Sequence, residues 1–435
     1  MTTRPFAAFA AFALLQVAAA SPAYAQRANG PYSGLFGGAP SVDRTQGLDF
    51  NMSLFGAYDD NEFPALAASD IIDPRLKQSG TSVGTTASLN YDLTGERAHF
   101  TWSGGGTGRK YSSPGAVVAY NTGSSLSLKL REKLVFTASG GASYSPFFQF
   151  SAFQDPAGGP SGPVTSDFGF AAVAERNIIA SGSVGLTSNF TARSSFVVSV
   201  DRYEAHLLDS PQNDLSSWGG HVGLRHHLTR ALGLHLDYGQ QQVHYATVDA
   251  PTYINASIDA GVDYGETFTF ARRTSFAFTT STSAVRYLDQ THYRLNGSAQ
   301  LSRGFRRSWS AHTGYTRETE FRIGFRDPLL TDSITAGVGG LLSLRTKWSS
   351  AGGYTRGAIG FGGSGFNVYS ASTRLDVALN STLGLYGQYS YYRYEIPPGS
   401  SDINLLSKLS RQIATVGLSV WVPIINDKRP PRESK

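Results

Sequence analysis

Residues 254–264 of the chain have the sequence INASIDAGVDY. Every second position in it is apolar, at Ile254, Ala256, Ile258, Ala260 and Val262. Asp259 and Asp263 belong to the alternate set. Successive side chains of a strand point in opposite directions, so a repeat of two residues separates the two sets onto opposite faces. The segment is therefore predicted to be a β-strand with one apolar and one polar face.

The same alternation recurs along the chain, in stripes that begin at Leu48, Leu126, Leu232, Tyr293 and Leu383. Single runs last about 10 to 15 residues, whereas the strands of a β-sandwich have about 5–6. A strand that crosses a bilayer needs about 9–11 residues plus its ends. In a transmembrane barrel the apolar face meets lipid and the polar face meets water. The predicted fold is an all-β, transmembrane, antiparallel up-and-down barrel.

The composition agrees with this architecture and excludes several others. The chain has 435 residues, 48 Gly, no Cys and only 16% charged residues, and its mean hydropathy is −0.20. Without Cys there is no disulfide scaffold, Cys-ligated zinc site or iron–sulfur cluster. A polytopic helical membrane protein is excluded as well, because it would need several runs of about 20 apolar residues and the mean hydropathy here is negative. The net charge of +5 is too dispersed to indicate a nucleic-acid partner.

The first 25 residues have the pattern of a secretory signal peptide. Arg4 precedes an apolar run at residues 6–20, and Ala23-Tyr24-Ala25 forms a small-residue cleavage site. We therefore predict a signal peptide at 1–25, a short periplasmic segment at 26–46, an outer-membrane barrel at 47–423 and a basic C-terminal tail at 424–435. The expected location is the outer membrane of a Gram-negative cell.

Short and long connections alternate along the barrel, and this allows the strands to be counted. Eight tight turns are predicted, at Thr94–Glu96, Arg131–Glu132, Thr191–Ser194, Leu228–Arg230, Arg272–Arg273, Gly304–Arg306, Arg345–Lys347 and Asn380–Ser381. Longer loops lie between them. Periplasmic turns of bacterial barrels are short and outer loops are long. Eight such turns, with both termini at the same end, predict about eighteen strands, and sixteen is also acceptable.

The polar face is predicted to line a pore. Its candidate residues are Lys129, His221, Arg225, Asp237, Asp259, Asp263, Arg294, Gln300, Arg374, Asp376, Gln388 and Tyr392. Both signs of charge occur, and no ring of one sign stands out to set ion selectivity. A metal cluster among His221, His227 and His235 is conceivable, but a plain polar lining is favoured. Neither a metal site nor a cofactor is predicted.

The sequence gives little support to an enzyme. It contains no His-Glu-x-x-His helix and no phosphate-binding loop. We therefore predict that the chain is not an enzyme and propose no catalytic residue, and an outer-membrane enzyme is the least favoured function.

The last predicted strand resembles the β-signal by which outer-membrane barrels are recognised for assembly. Thr415, Gly417, Val420 and Val422 match the pattern polar-x-Gly-x-x-apolar-x-apolar. The resemblance implies the barrel-assembly machinery as a partner. It departs from the usual pattern because Pro423 and the basic tail follow, where an aromatic residue normally ends the chain.

The stretch GAYDDN, residues 56–61, resembles the opening of the β-barrel porin-2 family. Members of that family are often linked to exopolysaccharide export, so the resemblance implies a porin with polysaccharide as a partner. For Asp59, Asp60 and Asn61 two local interpretations stay open. They form either a solvated strand-to-loop junction, which is favoured, or a calcium or sugar site.

The expected function is a porin-like channel for saccharides, polysaccharide or other small hydrophilic solutes. Tyr386, Tyr392 and Tyr394 share an inner face, where they would either stack on sugars or pack against an inward-folded loop. The loop at residues 148–174 could form a constriction or cover the outer mouth. The alternative function is a structural or adhesive barrel whose lumen is plugged by loops. Outer-membrane lipid is a partner in either case, and the oligomeric state is left open.

Overall fold

The computed structural model describes residues 44–61, 79–111, 115–149, 171–173, 175–229, 232–246, 252–264, 274–287, 290–305, 308–363, 365–399, 401, 403 and 405–428. The predicted signal peptide at 1–25, most of the segment at 26–46 and residues 429–435 lie outside this set. The same holds for the predicted turn at Arg272–Arg273.

Nearly all of the described chain is β-sheet. The first ten strands are β1 Arg44–Asp59, β2 Gly80–Thr94, β3 Ala98–Tyr111, β4 Ala116–Arg131, β5 Leu134–Ser145, β6 Phe148–Gln149, β7 Ala171–Val173, β8 Asn177–Asn189, β9 Ser194–Leu207 and β10 Leu215–His227. The next ten are β11 Leu232–Tyr245, β12 Tyr253–Tyr264, β13 Thr274–Tyr287, β14 Gln290–Phe305, β15 Trp309–Glu320, β16 Leu329–Ser343, β17 Thr346–Ile359, β18 Gly365–Ala378, β19 Leu383–Glu395 and β20 Lys408–Lys428. A short 3-10 turn at Pro211–Asn213 precedes β10.

Eighteen of these strands form one closed antiparallel barrel, and β6 and β7 pair separately. Each barrel strand pairs with its neighbours in the chain, and β1 also pairs with β20. The predicted fold class and the count of eighteen strands are confirmed. The barrel is slightly longer than the predicted range 47–423. Its first strand starts at Arg44, and β20 continues through Pro423 because residues up to Lys428 still pair with β1.

Tight connections gather at one end of the barrel, which we call the turn end. Polar side chains close these turns locally: Asn380 Oδ1 accepts hydrogen bonds from the backbone N–H groups of Thr382 and Leu383, both at 2.8 Å. Thr191 Oγ1 does the same for Arg193 and Ser194. Such side-chain acceptors favour a reversal of the chain direction within a few residues. Both described chain ends also lie here, and the longer connections meet at the opposite loop end.

The outer face carries a band of exposed apolar side chains, among them Leu54, Val184, Leu236, Leu295 and Val416. A strand of 14 residues such as β9 spans about 46 Å at ~3.3 Å per residue. Tilted by about 40°, it rises about 35 Å, which exceeds the apolar band of ~25 Å in outer-membrane barrels. A closed barrel with this band is the architecture of a bacterial outer-membrane protein. The part of the chain that the structure describes contains no apolar helix of membrane-spanning length.

Candidate functional site: the lumen of the barrel

The inner face of the barrel holds the predicted pore-lining residues. Asp237 shows how the face is assigned, because its neighbours Leu236 and Tyr238 are 52% and 48% exposed on the outer face. Alternation and cross-strand register place the other residues on the same inner face: Lys129, His221, Arg225, Asp259, Arg294, Gln300, Arg374, Asp376, Gln388 and Tyr392. Asp263 belongs to β12, but its side chain lies outside the described residues.

Strands β9 to β12 place a run of ionisable side chains midway along the inner face. We call it the His–Asp wall, and it consists of Asp201, His221, His235, Asp237 and Asp259. Nε2 of His221 lies 3.1 Å from Oδ1 of Asp201, and Nε2 of His235 lies 3.1 Å from Oδ1 of Asp259. Asp237 and Asp259 stand directly opposite each other on β11 and β12. The structure therefore brings predicted residues from three strands into one polar patch.

Glycines on neighbouring strands make room for these side chains. The opposed pairs are Asp201 with Gly219, His221 with Gly239, Asp237 with Gly223, His235 with Gly261 and, outside this wall, His312 with Gly337. A Cβ atom on Gly223 would lie 1.8 Å from Oδ1 of Asp237, and one on Gly261 would lie 2.4 Å from the His235 ring. The ionisable groups therefore lie flat along the wall.

Arginines elsewhere on the inner face are held by the wall itself. Arg374 pairs with Asp376 at 2.8 Å and lies over the Tyr386 ring, with its Cζ 4.1 Å from the ring centroid. Arg294 donates to the backbone carbonyls of Glu318 and Thr331, at 2.9 and 3.1 Å. These contacts fix the direction of each guanidinium. Lys129 and Gln300 are instead exposed nearer the turn end.

The barrel strands from β1 to β8 present a different inner surface, which we call the hydroxyl wall. Its inward mid-strand residues include Ser53, Thr86, Ser103, Ser125, Ser139 and Ser183. Ser53 and Thr86 hydrogen-bond across β1 and β2. Small hydroxyl-bearing side chains keep this wall polar without adding charge, so the charge of the mid-lumen is unevenly distributed around the barrel.

Toward the loop end the inner face becomes apolar, and loops fold onto it. We call this region the loop-end core. Phe148 comes from the separate strand β6, and Ile323, Phe325 and Ile403 come from connections between strands. The wall contributes Leu207, Val243, Tyr245, Tyr253, Phe366, Tyr392, Tyr394 and Leu409. All of these residues are buried. The lumen is therefore narrowed by an apolar packing layer at its loop end.

Segment 321–328, between β15 and β16, is anchored in this core by hydrogen bonds. The Tyr253 hydroxyl donates to the backbone carbonyl of Arg326 at 3.0 Å, and Ser401 Oγ donates to that of Gly324 at 2.8 Å. Gly324 has a φ of +83°, and a Cβ there would lie 2.9 Å from Ile403. Glycine is needed at this position both for its backbone angle and for the close approach of Ile403.

Tyr392 corrects one prediction. It faces inward, as the alternation predicted, but it is only 2% exposed and lies 5.8 Å from Tyr394 between ring centroids. Both rings belong to the loop-end core. Of the two roles left open for these tyrosines, packing against an inward-folded loop is the one observed, because segment 321–328 and Ile403 cover them. Tyr392 does not line an open part of the lumen.

Asp59 and Arg411 form a buried ion pair where β1 meets β20. The two side chains are 1% and 2% exposed, and Nη2 of Arg411 lies 2.6 Å from Oδ2 of Asp59. The N–H of Asn61 donates to Asp59 at 3.0 Å, and its amide donates to the carbonyl of Ser410 at 2.9 Å. We call Asp59, Asn61 and Arg411 the closing clasp. It corrects the favoured interpretation of residues 59–61 as a solvated junction.

The predicted assembly signal lies on the strand that closes the barrel. Thr415 and Gly417 face inward, while Val420 and Val422 share the outer face with Met52 and Phe50. A Cβ on Gly417 would lie 2.7 Å from the Tyr386 ring, so a glycine is required for this ring to lie flat on the wall.

Asp201 and Arg411 are site residues that the sequence predictions missed. Each lies on the predicted inner face of a strand, but its partner is set by strand register. A glycine opposite an ionisable residue is a usable signal for Asp201, provided that the pairing with Gly219 is known. Arg411 offers no such signal, because Asp59 lies 352 residues away in the chain.

No family model and no curated protein matches the chain. The resemblance to the β-barrel porin-2 family therefore gains no support. Among solved structures, Acinetobacter baumannii OccAB3 has 9% identity and a TM-score of 0.44, with 87% of this chain and 99% of that chain covered. Pseudomonas aeruginosa OpdL has 11% identity and a TM-score of 0.43 at the same coverage. Pseudomonas aeruginosa OccK2 (OpdF), solved in complex with glucuronate, has 9% identity and a TM-score of 0.44, with 87% and 98% covered. Likeness at this level carries no argument about function.

Proposed function

We propose that the chain is an outer-membrane channel for small hydrophilic solutes and not an enzyme. The observation that carries this proposal is the polar inner face, in which the His–Asp wall and the hydroxyl wall share one lumen. Barrels of 16–18 strands are wide enough to hold an aqueous channel. A polar interior of this kind suits a water-filled lumen.

The lining favours selective passage over a wide, unselective pore. Arg374 and Asp376, on β18, and the His–Asp wall present fixed charges of both signs. Segment 321–328 narrows the lumen at the loop end, so the solutes are proposed to be small, including single sugars. Export of polysaccharide is not favoured, because a polymer would need a wide exit where the loop-end core is packed.

A second candidate function is a structural or adhesive barrel with a closed lumen. The loop-end core is the specific observation that favours it, because Ile323 and Phe325 seat a loop segment inside the barrel. In this case the loops would bind a surface partner and no solute would pass. Both candidates predict the same fold and location, so only a transport measurement separates them.

Planar-bilayer recordings of the purified, refolded barrel test the two candidates. The channel proposal predicts discrete conductance steps for the wild type, and swelling of proteoliposomes in a monosaccharide but not in a large dextran. The closed-barrel candidate predicts no steps for the wild type and new steps for Ile323→Gly with Phe325→Gly. If neither protein conducts although both are folded, the channel proposal is wrong.

We also propose that Thr415, Gly417, Val420 and Val422 contact the barrel-assembly machinery, as the β-signal resemblance implies. Gly417→Ala would push the Tyr386 ring off the wall and is expected to lower the fraction of folded barrel in cells. Gly387→Ala is the matched control on β19, since nothing lies within 4 Å of its added Cβ. The heat-dependent gel shift of folded barrels measures both, and equal folded fractions would argue against this assignment.

A further inference from the structure

The geometry points to a binding site for one divalent transition-metal ion, such as Zn²⁺, at His235, Asp237 and Asp259 on the lumen wall. One ligand atom from each residue lies within 4.8 Å of the others. Nε2 of His235 and Oδ1 of Asp259 are already 3.1 Å apart. Bonds of about 2.0–2.2 Å from one metal ion place neighbouring ligand atoms about 3–3.5 Å apart. Two of the three ligands therefore have the required spacing, and the Asp237 carboxylate lies within 4.8 Å of both.

The surroundings of the Asp237 carboxylate also favour the site. Its carboxylate makes no hydrogen bond or ion pair with any residue in the part of the chain that the structure describes. It also stands directly opposite Asp259, and like charges in that position destabilise a pair of strands. On β10, His221 and Arg225 lie two residues on either side of Gly223, which stands opposite Asp237, and neither forms an ion pair with Asp237 among the described residues. A cation held between the two carboxylates would remove the repulsion.

Gly223 and Gly261, which lie opposite Asp237 and His235, leave these two ligands room along the wall and keep them accessible from the lumen. Asp237 lies over Gly223 and His235 lies over Gly261, so both side chains are held against the wall. Their lumen side is left for water or a passing solute to complete the metal's coordination. One imidazole with two carboxylates suits Zn²⁺ and other divalent first-row metals, which bind mixed nitrogen and oxygen ligands. The site would place such an ion directly on the proposed solute path.

Isothermal titration calorimetry with zinc chloride, on the full-length mature barrel in detergent, tests the site. We expect one Zn²⁺ to bind per chain. Asp237→Asn and Asp259→Asn should each weaken binding by at least about tenfold, since even the loss of outer-shell partners costs 10–100-fold. His312→Gln is the matched control, because His312 lies over Gly337 as His235 lies over Gly261 but has no place in the carboxylate cluster. Its Zn²⁺ affinity should equal that of the wild type.

Three results would overturn the site: no Zn²⁺ binding to the wild type, unchanged affinity in Asp237→Asn, or an equal loss in His312→Gln. The heat-dependent gel shift confirms that each variant is folded, and Asn matches Asp in size. Calorimetry does not depend on the proposed channel function. Binding without conductance would overturn the channel and keep the site, while conductance without binding would overturn the site alone. If the channel and the metal site are both confirmed, Zn²⁺ should lower the conductance of the wild type but not that of Asp259→Asn.

Discussion

The middle of the lumen and its loop end are built from the same strands and the same inner face, yet they differ in chemistry. In β9 the inward residue is Asp201 in the middle and Leu207 at the loop end, and in β11 the change is from Asp237 to Tyr245. The middle positions face the lumen outside that core, whereas the loop-end positions are covered by segment 321–328 and Ile403. Alternation thus decides which side a residue faces, and position along the strand decides whether that side meets water or a loop.

The closing clasp offers the sharpest test of this difference, because it buries an ion pair in the dry region. Asp59→Asn would leave Arg411 buried without its charge partner, and we expect a loss of about 3–5 kcal/mol in the free energy of unfolding. Asp376→Asn is the control in the middle of the lumen, where Arg374 and Asp376 are 37% and 13% exposed, and should cost less, about 1 kcal/mol. Urea unfolding of the barrel in lipid vesicles measures both. Equal losses would mean that the two regions do not differ in hydration.

Truncation of the loop-end core tests whether that layer also limits passage. Phe325→Ala removes a fully buried ring and should cost about 3 kcal/mol. The released segment should also raise the conductance of a single barrel. Tyr293→Ala is the matched control, because Tyr293 is 76% exposed on the outer face and its loss should leave conductance unchanged. Unchanged conductance in Phe325→Ala would show that the constriction lies elsewhere.

Most of the fold was predictable from the sequence, because a two-residue period is a local property that survives without knowledge of the partner strand. The inward direction of Asp237, Arg294 and Asp376 follows from it alone. The loop-end core was not predictable, since Tyr392 is covered by residues such as Ile323, 69 positions earlier in the 435-residue chain. A usable signal was nevertheless present. The inward positions at the loop end, such as Val243 and Tyr245, are apolar. An open aqueous mouth would favour polar residues there, so these apolar residues indicate a packed layer.

Glycine-to-alanine substitutions compare the two walls in the middle of the lumen. In the His–Asp wall, Gly261→Ala would force the His235 ring off the strand, and overpacking of this kind costs about 1–3 kcal/mol. In the hydroxyl wall, Gly123→Ala meets its nearest atom only at 3.6 Å and should be neutral or stabilising by up to about 1 kcal/mol. Conductance should fall in the first variant because His235 then projects into the lumen. Equal changes of stability and conductance in both variants would show that Gly261 is not needed to make room for His235.

The smallest expected effect concerns an ion pair of the same chemistry as the closing clasp, but on the outside of the loop end. Arg176 and Asp209 pair next to β8 and β9, where their side chains are 54% and 37% exposed. The hydrogen bond from Arg176 lowers the pKa of Asp209 below its usual range, although partial burial acts against this. A carboxylate with a lowered pKa stabilises the folded loop above its unfolded pKa of about 3.9, and that contribution is lost as the pH falls through the lowered value.

Carbon NMR titration of the Asp209 carboxyl measures this directly, and Arg176→Gln should raise the midpoint back toward about 3.9. High salt should shrink the difference between wild type and variant, because charges in water are screened. The clasp should show no comparable response to salt, since Asp59 and Arg411 are almost completely buried. If salt weakens both pairs equally, the closing clasp is hydrated and the loop end is more open than its packing indicates.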